Sequence, residues 1–290
     1  MAVADVRNEI LVGVDPKNPS RPALAWAAQA ALSRGGDVRL LLSVPPLRAT
    51  RHGDVQPRHE ALRVEGEEAL SAAVETTRAL APDVAVTAVL FDGMPAAVLC
   101  QEAAGRARLV VVGSRRLTRP KDVFSADSVV VPVSARAGCP VVVVRETEHA
   151  GRTPLPLVVG VDGSSGSRSA VDFAAQEAGP RGATVHAVWV WPEHVARPTG
   201  RGDERAGLLE RRRLLAETVA GPGERYPDVG ITQEVLRGHP VEELARVSAT
   251  ARAVVAGRHG RGGHTGMRLG SVVHGLLHRA ECPVVVVPPV

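Results

Sequence analysis

The sequence predicts two tandem α/β domains, each a five-stranded parallel sheet covered by helices. Three observations carry this prediction. The chain is written twice: Gly13-Val14-Asp15 recurs as Gly160-Val161-Asp162, Ser20-Arg21 as Ser167-Arg168, Gln29 as Gln176, Arg34-Gly35 as Arg181-Gly182 and Pro45 as Pro192, each 147 residues further on. Later, Gly93-Met94-Pro95 recurs as Gly238-His239-Pro240, and Cys139-Pro140 with its four valines recurs as Cys282-Pro283 with four more. So long a period is a domain duplication, because solenoid repeats run about 20–50 residues. Next, runs such as Val284 to Val287 are apolar without alternation, as strands buried on both faces are. Finally, these runs alternate with segments of helical periodicity, the pattern of parallel sheets with helical crossovers.

In the first half, Glu9 to Val14 reads as a strand, and Leu24, Ala27, Ala28, Ala31 and Leu32 follow the spacing of one helix face. Asp37 to Val44 is the second strand. A polar stretch from Leu47 to His59 leads into a helix through Leu80. Val84 to Phe91 is the third strand, Pro95 to Gly105 a helix and Leu109 to Val112 the fourth strand. A helix over Val129 to Ala137 precedes the last strand, Val141 to Val144. The second half repeats this, with Val171, Ala174, Ala175 and Ala178 lining its first helix and Val273, Leu276, Leu277 and Ala280 its last. The domains are expected over 1–147 and 154–290, with a linker from Arg145 to Pro156. Trp26 and Phe173 hold equivalent helix positions and read as core.

Composition sets limits on function. Hydrophobic residues make up 44% of the 290 and charged residues 23%, so a globular fold is expected. Aromatics are only 2%, leaving a core of Val, Ala and Leu. No apolar run approaches the ~18–20 residues of a membrane span, and the first residues show no secretion signal. A cytoplasmic protein is expected. Three cysteines make no disulfide framework; Cys139 and Cys282 read as small buried fillers. The net charge of +4 is spread among acids without aromatic platforms, which argues against nucleic acid. His274 and His278 are four apart on a helix, but no third ligand is evident, so no metal site is expected.

The chemistry concentrates after the fourth strand of the second half. Ala253 to Ala256 runs into Gly257, Gly260, Gly270 and Ser271, spaced G-x2-G-x9-G-S, and a helix follows. Glycines let the backbone turn sharply and come close, and a helix N-terminus offers free N–H groups and a partial positive charge, so the loop can hold an anion. Gly270 would allow close approach at the helix start, and Ser271 would cap the helix and donate its hydroxyl to a phosphate. The alternative is a flexible glycine loop with a capping serine. Asp162, at the end of a strand, either accepts from a ribose hydroxyl or helps hold a metal near phosphates; alternatively, it or a neighbouring serine only caps the next helix. In such sheets, ligands sit beyond the carboxyl ends of the strands where strand order reverses.

This constellation resembles the ATP-binding branch of the universal stress protein family, over nearly the whole chain. Gly257, Gly260, Gly270 and Ser271 match the family loop, Asp162 matches the aspartate ending its first strand, and Cys282-Pro283 with its valines is similar to its last strand. The resemblance implies two flavodoxin-like (adenine nucleotide alpha hydrolase-like) domains. It also implies ATP as the ligand, with Mg2+ as a possible companion. The ribose would lie near Asp162, the adenine near Val188 to Val190, and the phosphates over Gly257, Gly260, Gly270 and Ser271; Val272 would continue the phosphate or ribose contacts, and Gly160, Val190 and Ala256 complete the implied ATP-binding residues. His274 departs from the small polar residue usual there. The resemblance further implies a nucleotide-dependent regulator in a stress or dormancy response, an unknown protein partner and a homodimer. The last strands of two family domains pair, a contact the two halves would make internally.

In the first half, Gly13, Asp15, Gly113 and Ser128 remain as a weak second site. However, Arg116 and Asp127 stand where Gly260 and Gly270 stand; Arg115, Arg116, Arg119 and Lys121 read as a solvated basic loop or as side-chain phosphate ligands. One good and one degraded nucleotide site are expected. Two other functions remain open: a slow ATPase or phosphate-transfer enzyme, for which no general base is evident, and a scaffold that uses no nucleotide.

Overall fold

The computed structural model describes residues 8–47, 55–114, 129–145, 155–191, 201–261 and 269–289. The chain divides into two compact units, Met1–Glu146 and Thr147–Val290. Most of the expected linker, residues 146–154, lies outside the described residues.

The first unit runs β1 (Glu9–Gly13), α1 (Arg21–Arg34), β2 (Asp37–Val44), α2 (Val55–Leu80), β3 (Val86–Asp92), α3 (Pro95–Ala103), β4 (Ala107–Ser114), α4 (Val130–Arg136) and β5 (Val141–Arg145). The second runs β6 (Leu157–Val161), α5 (Ser165–Ala178), a 3-10 turn, β7 (Val185–Trp191), α6 (Arg201–Arg225), β8 (Ile231–Arg237), α7 (Pro240–Ser248), β9 (Ala253–Gly257), α8 (Ser271–Arg279) and β10 (Val284–Val287). Strand order is β3-β2-β1-β4-β5 in the first unit and β8-β7-β6-β9-β10 in the second, with all pairs parallel. Each unit is therefore an α/β domain of five parallel strands. Order reverses between β1 and β4, and between β6 and β9, which opens a crevice at their carboxyl ends.

The central strands are apolar because both faces are covered. In the first unit α1 packs on α2 and α3 on α4; in the second α5 packs on α6 and α7 on α8. Val254, Val255, Val285 and Val286 are buried accordingly. Small residues let helices lie close: Ala27, Ala30 and Ala31 of α1 and Ala170, Ala174, Ala175 and Ala178 of α5 are fully buried. Edge strands β3 and β8 contain no buried residue. Among the described residues no helix is long and apolar enough to cross a membrane.

Two expectations of the core need correction. Leu32 is 50% exposed. Eight residues turn an α-helix about 80° past Leu24, and that rotation carries Leu32 off the buried stripe while Ala31 stays on it. Trp26 and Phe173 are half-buried at the flanks of α1 and α5, since the alanines beside them fill the contact with the sheet. Cys139 and Cys282 are buried as expected.

Candidate functional site

The site grows from the end of β6. Asp162 follows the strand, and its Oδ1 accepts the Ser164 N–H at 3.0 Å. Gly163 sits inside that turn with a φ of 78°, a conformation that favours glycine. Ser164 then caps α5 by accepting the Ser167 N–H at 3.1 Å. Of the alternatives open for this turn, the capping role falls to the neighbouring serine. The serine caps the helix, and the second carboxylate oxygen, Oδ2, reaches across to the glycine-rich loop and accepts the Arg261 N–H at 2.8 Å.

That contact explains Gly260. A Cβ there would stand 2.3 Å from Asp162 Oδ2. Gly257 ends β9 against the first turn of α5, where its Cβ would lie 2.5 Å from the backbone of Gly166. Gly270 donates its N–H to the Arg258 carbonyl at 2.8 Å, closing the base of the loop; its Cβ would come within 3.1 Å of that oxygen. Gly257, Gly260 and Gly270 all lack a left-handed φ. They are glycines because atoms approach them, and the sharp turn the sequence suggested falls instead at Gly163. The middle of the loop, residues 262–268, lies outside the described residues.

Ser271 was expected to cap α8. Gly270 holds that position without a side-chain bond, and Ser271 is the exposed first residue of the helix. The Gly270 to Arg258 bond holds Gly270 in extended backbone as the cap, so the helix starts one residue earlier than expected. The first bond of α8 runs from the His274 N–H to the Gly270 carbonyl, so the N–H groups of Ser271, Val272 and Val273 have no acceptor within the helix.

Gly160 has a different reason to be glycine. Its Cβ would meet Leu244 of α7 at 3.0 Å, and Gly13 stands in the same relation to Leu99 of α3. Both keep a helix close to the sheet. Val190 is half-buried in β7 and paired with Leu236, whereas Ala256 is buried in β9 opposite Val286. Among the described residues no three His, Cys, Asp or Glu side chains gather as a metal site; the His274 and His278 rings are tilted by 60° with centroids 5.1 Å apart.

The sequence reading gave Gly166 and Arg261 no part in the site; it named no particular serine as the cap and gave Trp189, inside the adenine stretch, no contact. The Arg261 guanidinium lies 5.8 Å from the Trp189 ring centroid. Spacing gave no signal for these contacts, because they join β6, β7 and the loop across the sheet.

The first unit keeps part of the plan. Asp15 Oδ1 accepts the Lys17 N–H at 3.0 Å, the same turn as at Asp162. Gly113, next to last in β4, lies against Ser20, the cap of α1, with a Cβ-to-Cβ separation of 2.4 Å if it carried a side chain. Yet α5 begins directly after its aspartate turn, whereas Pro16 to Ser20 separate Asp15 from α1. Arg115, Arg116, Arg119, Lys121, Asp127 and Ser128 lie outside the described residues.

Burial pushes the Asp162 carboxyl up, but hydrogen bonding to Ser164, to the Arg261 N–H and to Ser167 outweighs it and holds the group below the ordinary carboxylate range. A lowered folded value means a stabilising contribution that is fully present above the ordinary value of about 3.9 and is lost as pH falls through the lowered one. Urea unfolding of wild type and Asp162→Asn should therefore show a larger gap at pH 7 than at pH 3. A gap that widens on acidification would contradict the assignment.

Comparison with known proteins agrees with this architecture. The sequence profile of the Universal stress protein family matches residues 7–145 and again 155–288. The chain belongs to the universal stress protein family. A universal stress protein of Mycobacterium tuberculosis, Rv2005c, is 34% identical over 290 residues, covering 96% of each chain. A Mycolicibacterium smegmatis universal stress protein is 32% identical over 292 residues, 97% of each. Among solved structures, a universal stress protein from Archaeoglobus fulgidus overlays 99% of this chain and 98% of its own, with a TM-score of 0.74 at 16% identity, a likeness of fold.

Proposed function

We propose that this universal stress protein binds ATP in its second unit and acts as a nucleotide-dependent regulator in a stress or dormancy response. The observation that carries the reading is the Asp162 clamp on the glycine-rich loop: a carboxylate seated where the Gly260 side chain would be, at the strand-order reversal. By fixing the loop's path, the carboxylate sets the direction of the loop's backbone N–H groups beside the start of α8, where an anion can be held. Asp162 would hold the ribose through its remaining lone pairs. The loop backbone from Gly257 to Gly260, with the N–H groups of Ser271 and Val272 at the start of α8, would hold the phosphates. The nucleotide supplies charge and a hydrolysable anhydride; the chain's residues bind and orient it.

In the first unit, the helix that follows Asp15 starts further from the aspartate, which supports a weaker site there. Calorimetric titration with ATP should give one tight site per chain, and native mass spectrometry of gently purified protein should show bound ATP. Two equally tight sites would overturn the asymmetry, and no binding at all would overturn the reading.

A further inference from the structure

Arg261 presents a guanidinium at the crevice. Its backbone N–H is fixed by Asp162 Oδ2. Its guanidinium lies over Trp189, which is only 7% exposed. Gly163 makes room for it: a Cβ on that residue would meet Arg261 Nη2 at 2.8 Å and the Trp189 ring at 3.1 Å. Among the described residues no carboxylate pairs with this guanidinium; the nearby Asp162 oxygens accept backbone N–H groups instead.

The guanidinium is exposed, with the Asp162 carboxylate on one side and the start of α5 on the other. Gly163 lies directly before α5, whose N-terminus carries a partial positive charge. An arginine placed there adds like charge, lying over a tryptophan face. An anion between the guanidinium and the helix end would be attracted by both. In the first unit the equivalent positions are Pro16 and Leu42, which offer neither the glycine gap nor the aromatic face.

We propose that the Arg261 guanidinium, held on Trp189 beside the Gly163 turn, is a phosphate ligand that makes the second-unit site select phosphorylated nucleotides over nucleosides. This assignment rests on the nucleotide reading above and adds a side-chain contact to a cradle otherwise made of backbone N–H groups. Arginine suits the role, because its planar fork matches phosphate oxygens.

Binding of ATP and of adenosine to wild type, Arg261→Met and Arg261→Ala, measured by calorimetry at low and at moderate salt, tests it. The methionine keeps an apolar stem against Trp189 and removes the charge. Both variants should weaken ATP binding by about 10-fold or more and flatten its salt dependence, as loss of a charged hydrogen bond does. Adenosine affinity should stay within about two-fold of wild type by the same reasoning, because it offers no phosphate to the lost charge. Unchanged ATP affinity in Arg261→Met would overturn the assignment alone, as would an equal loss for ATP and adenosine, which would mark a packing role. Wild-type protein that binds neither ligand would overturn the underlying reading with it.

Discussion

Gly260→Ala should abolish tight ATP binding and leave the fold nearly intact. A methyl group at this position would stand 2.3 Å from Asp162 Oδ2, where ordinary carbon–oxygen contacts are about 3.3 Å or longer. Either the loop or the carboxylate must move by roughly 1 Å to restore that distance. Neither can move freely: Asp162 is tied to Ser164 on one side and to Arg261 on the other. Moving it breaks the bond that sets the loop's path, and moving the loop takes Arg261 and the phosphate-facing backbone with it. A ligand cradle displaced by that much loses its aligned donors, and each charged hydrogen bond lost is worth about 1.5–3 kcal/mol. We expect Kd for ATP to rise at least about 30-fold, the equivalent of about 2 kcal/mol. Gly260 belongs to no strand or helix, so thermal unfolding should shift little. Calorimetry beside a melting curve separates the two effects; ATP affinity within a few-fold of wild type would remove the clamp from the account of binding.

Much of the fold was legible because burial leaves a direct trace in composition. β2 spans Asp37–Val44, as the apolar run predicts, and the alanine stripe of α5 is fully buried. Boundaries were less legible where burial has more than one cause. Val84 is buried and apolar, but its N–H bonds to the Ala81 carbonyl in the turn before β3, and Val229 repeats this before β8. Hydrophobicity alone does not distinguish an apolar anchor under a turn from the first residue of a strand. β4 extends beyond Leu109 to Val112 in both directions because it is paired on both sides, and pairing continues past the apolar run to Ser114 opposite Arg145.

The site divides along the same line. Asp162, Gly257, Gly260 and Gly270 could be singled out by their place after β6 and β9 and by the G-x2-G-x9-G-S spacing. Why each is needed was hidden. Gly160 looks like part of the same motif, yet it accommodates Leu244. Arg261, among the many arginines of this chain, becomes informative only when Trp189 and Gly163 are seen beside it. Local sequence encodes which backbone positions must be small; the neighbour that demands it comes from another strand.

Gly257→Ala should act on the fold first and on binding as a consequence. The added methyl would lie 2.5 Å from the Gly166 carbonyl carbon and 2.6 Å from its oxygen. Those are backbone atoms in the first turn of α5, so no side chain can swing aside. Gly166 is itself confined, since its own Cβ would meet the His259 carbonyl at 2.5 Å. Relief requires α5 to lift from β9, and α5 carries the buried alanines that cover β6 and β9. Overpacking costs typically about 1–3 kcal/mol, and contact with backbone belongs at the upper end. For a domain of this size that corresponds to a fall in melting temperature of roughly 6–12 °C. Lifting α5 also carries Ser164 and the Asp162 turn away from the loop, so ATP affinity falls together with stability. The pattern across the two alanine variants is the informative result: Gly260→Ala loses binding with little change in melting, and Gly257→Ala loses both. Equal melting temperatures for Gly257→Ala and wild type would show that α5 and β9 do not meet as closely as these contacts require.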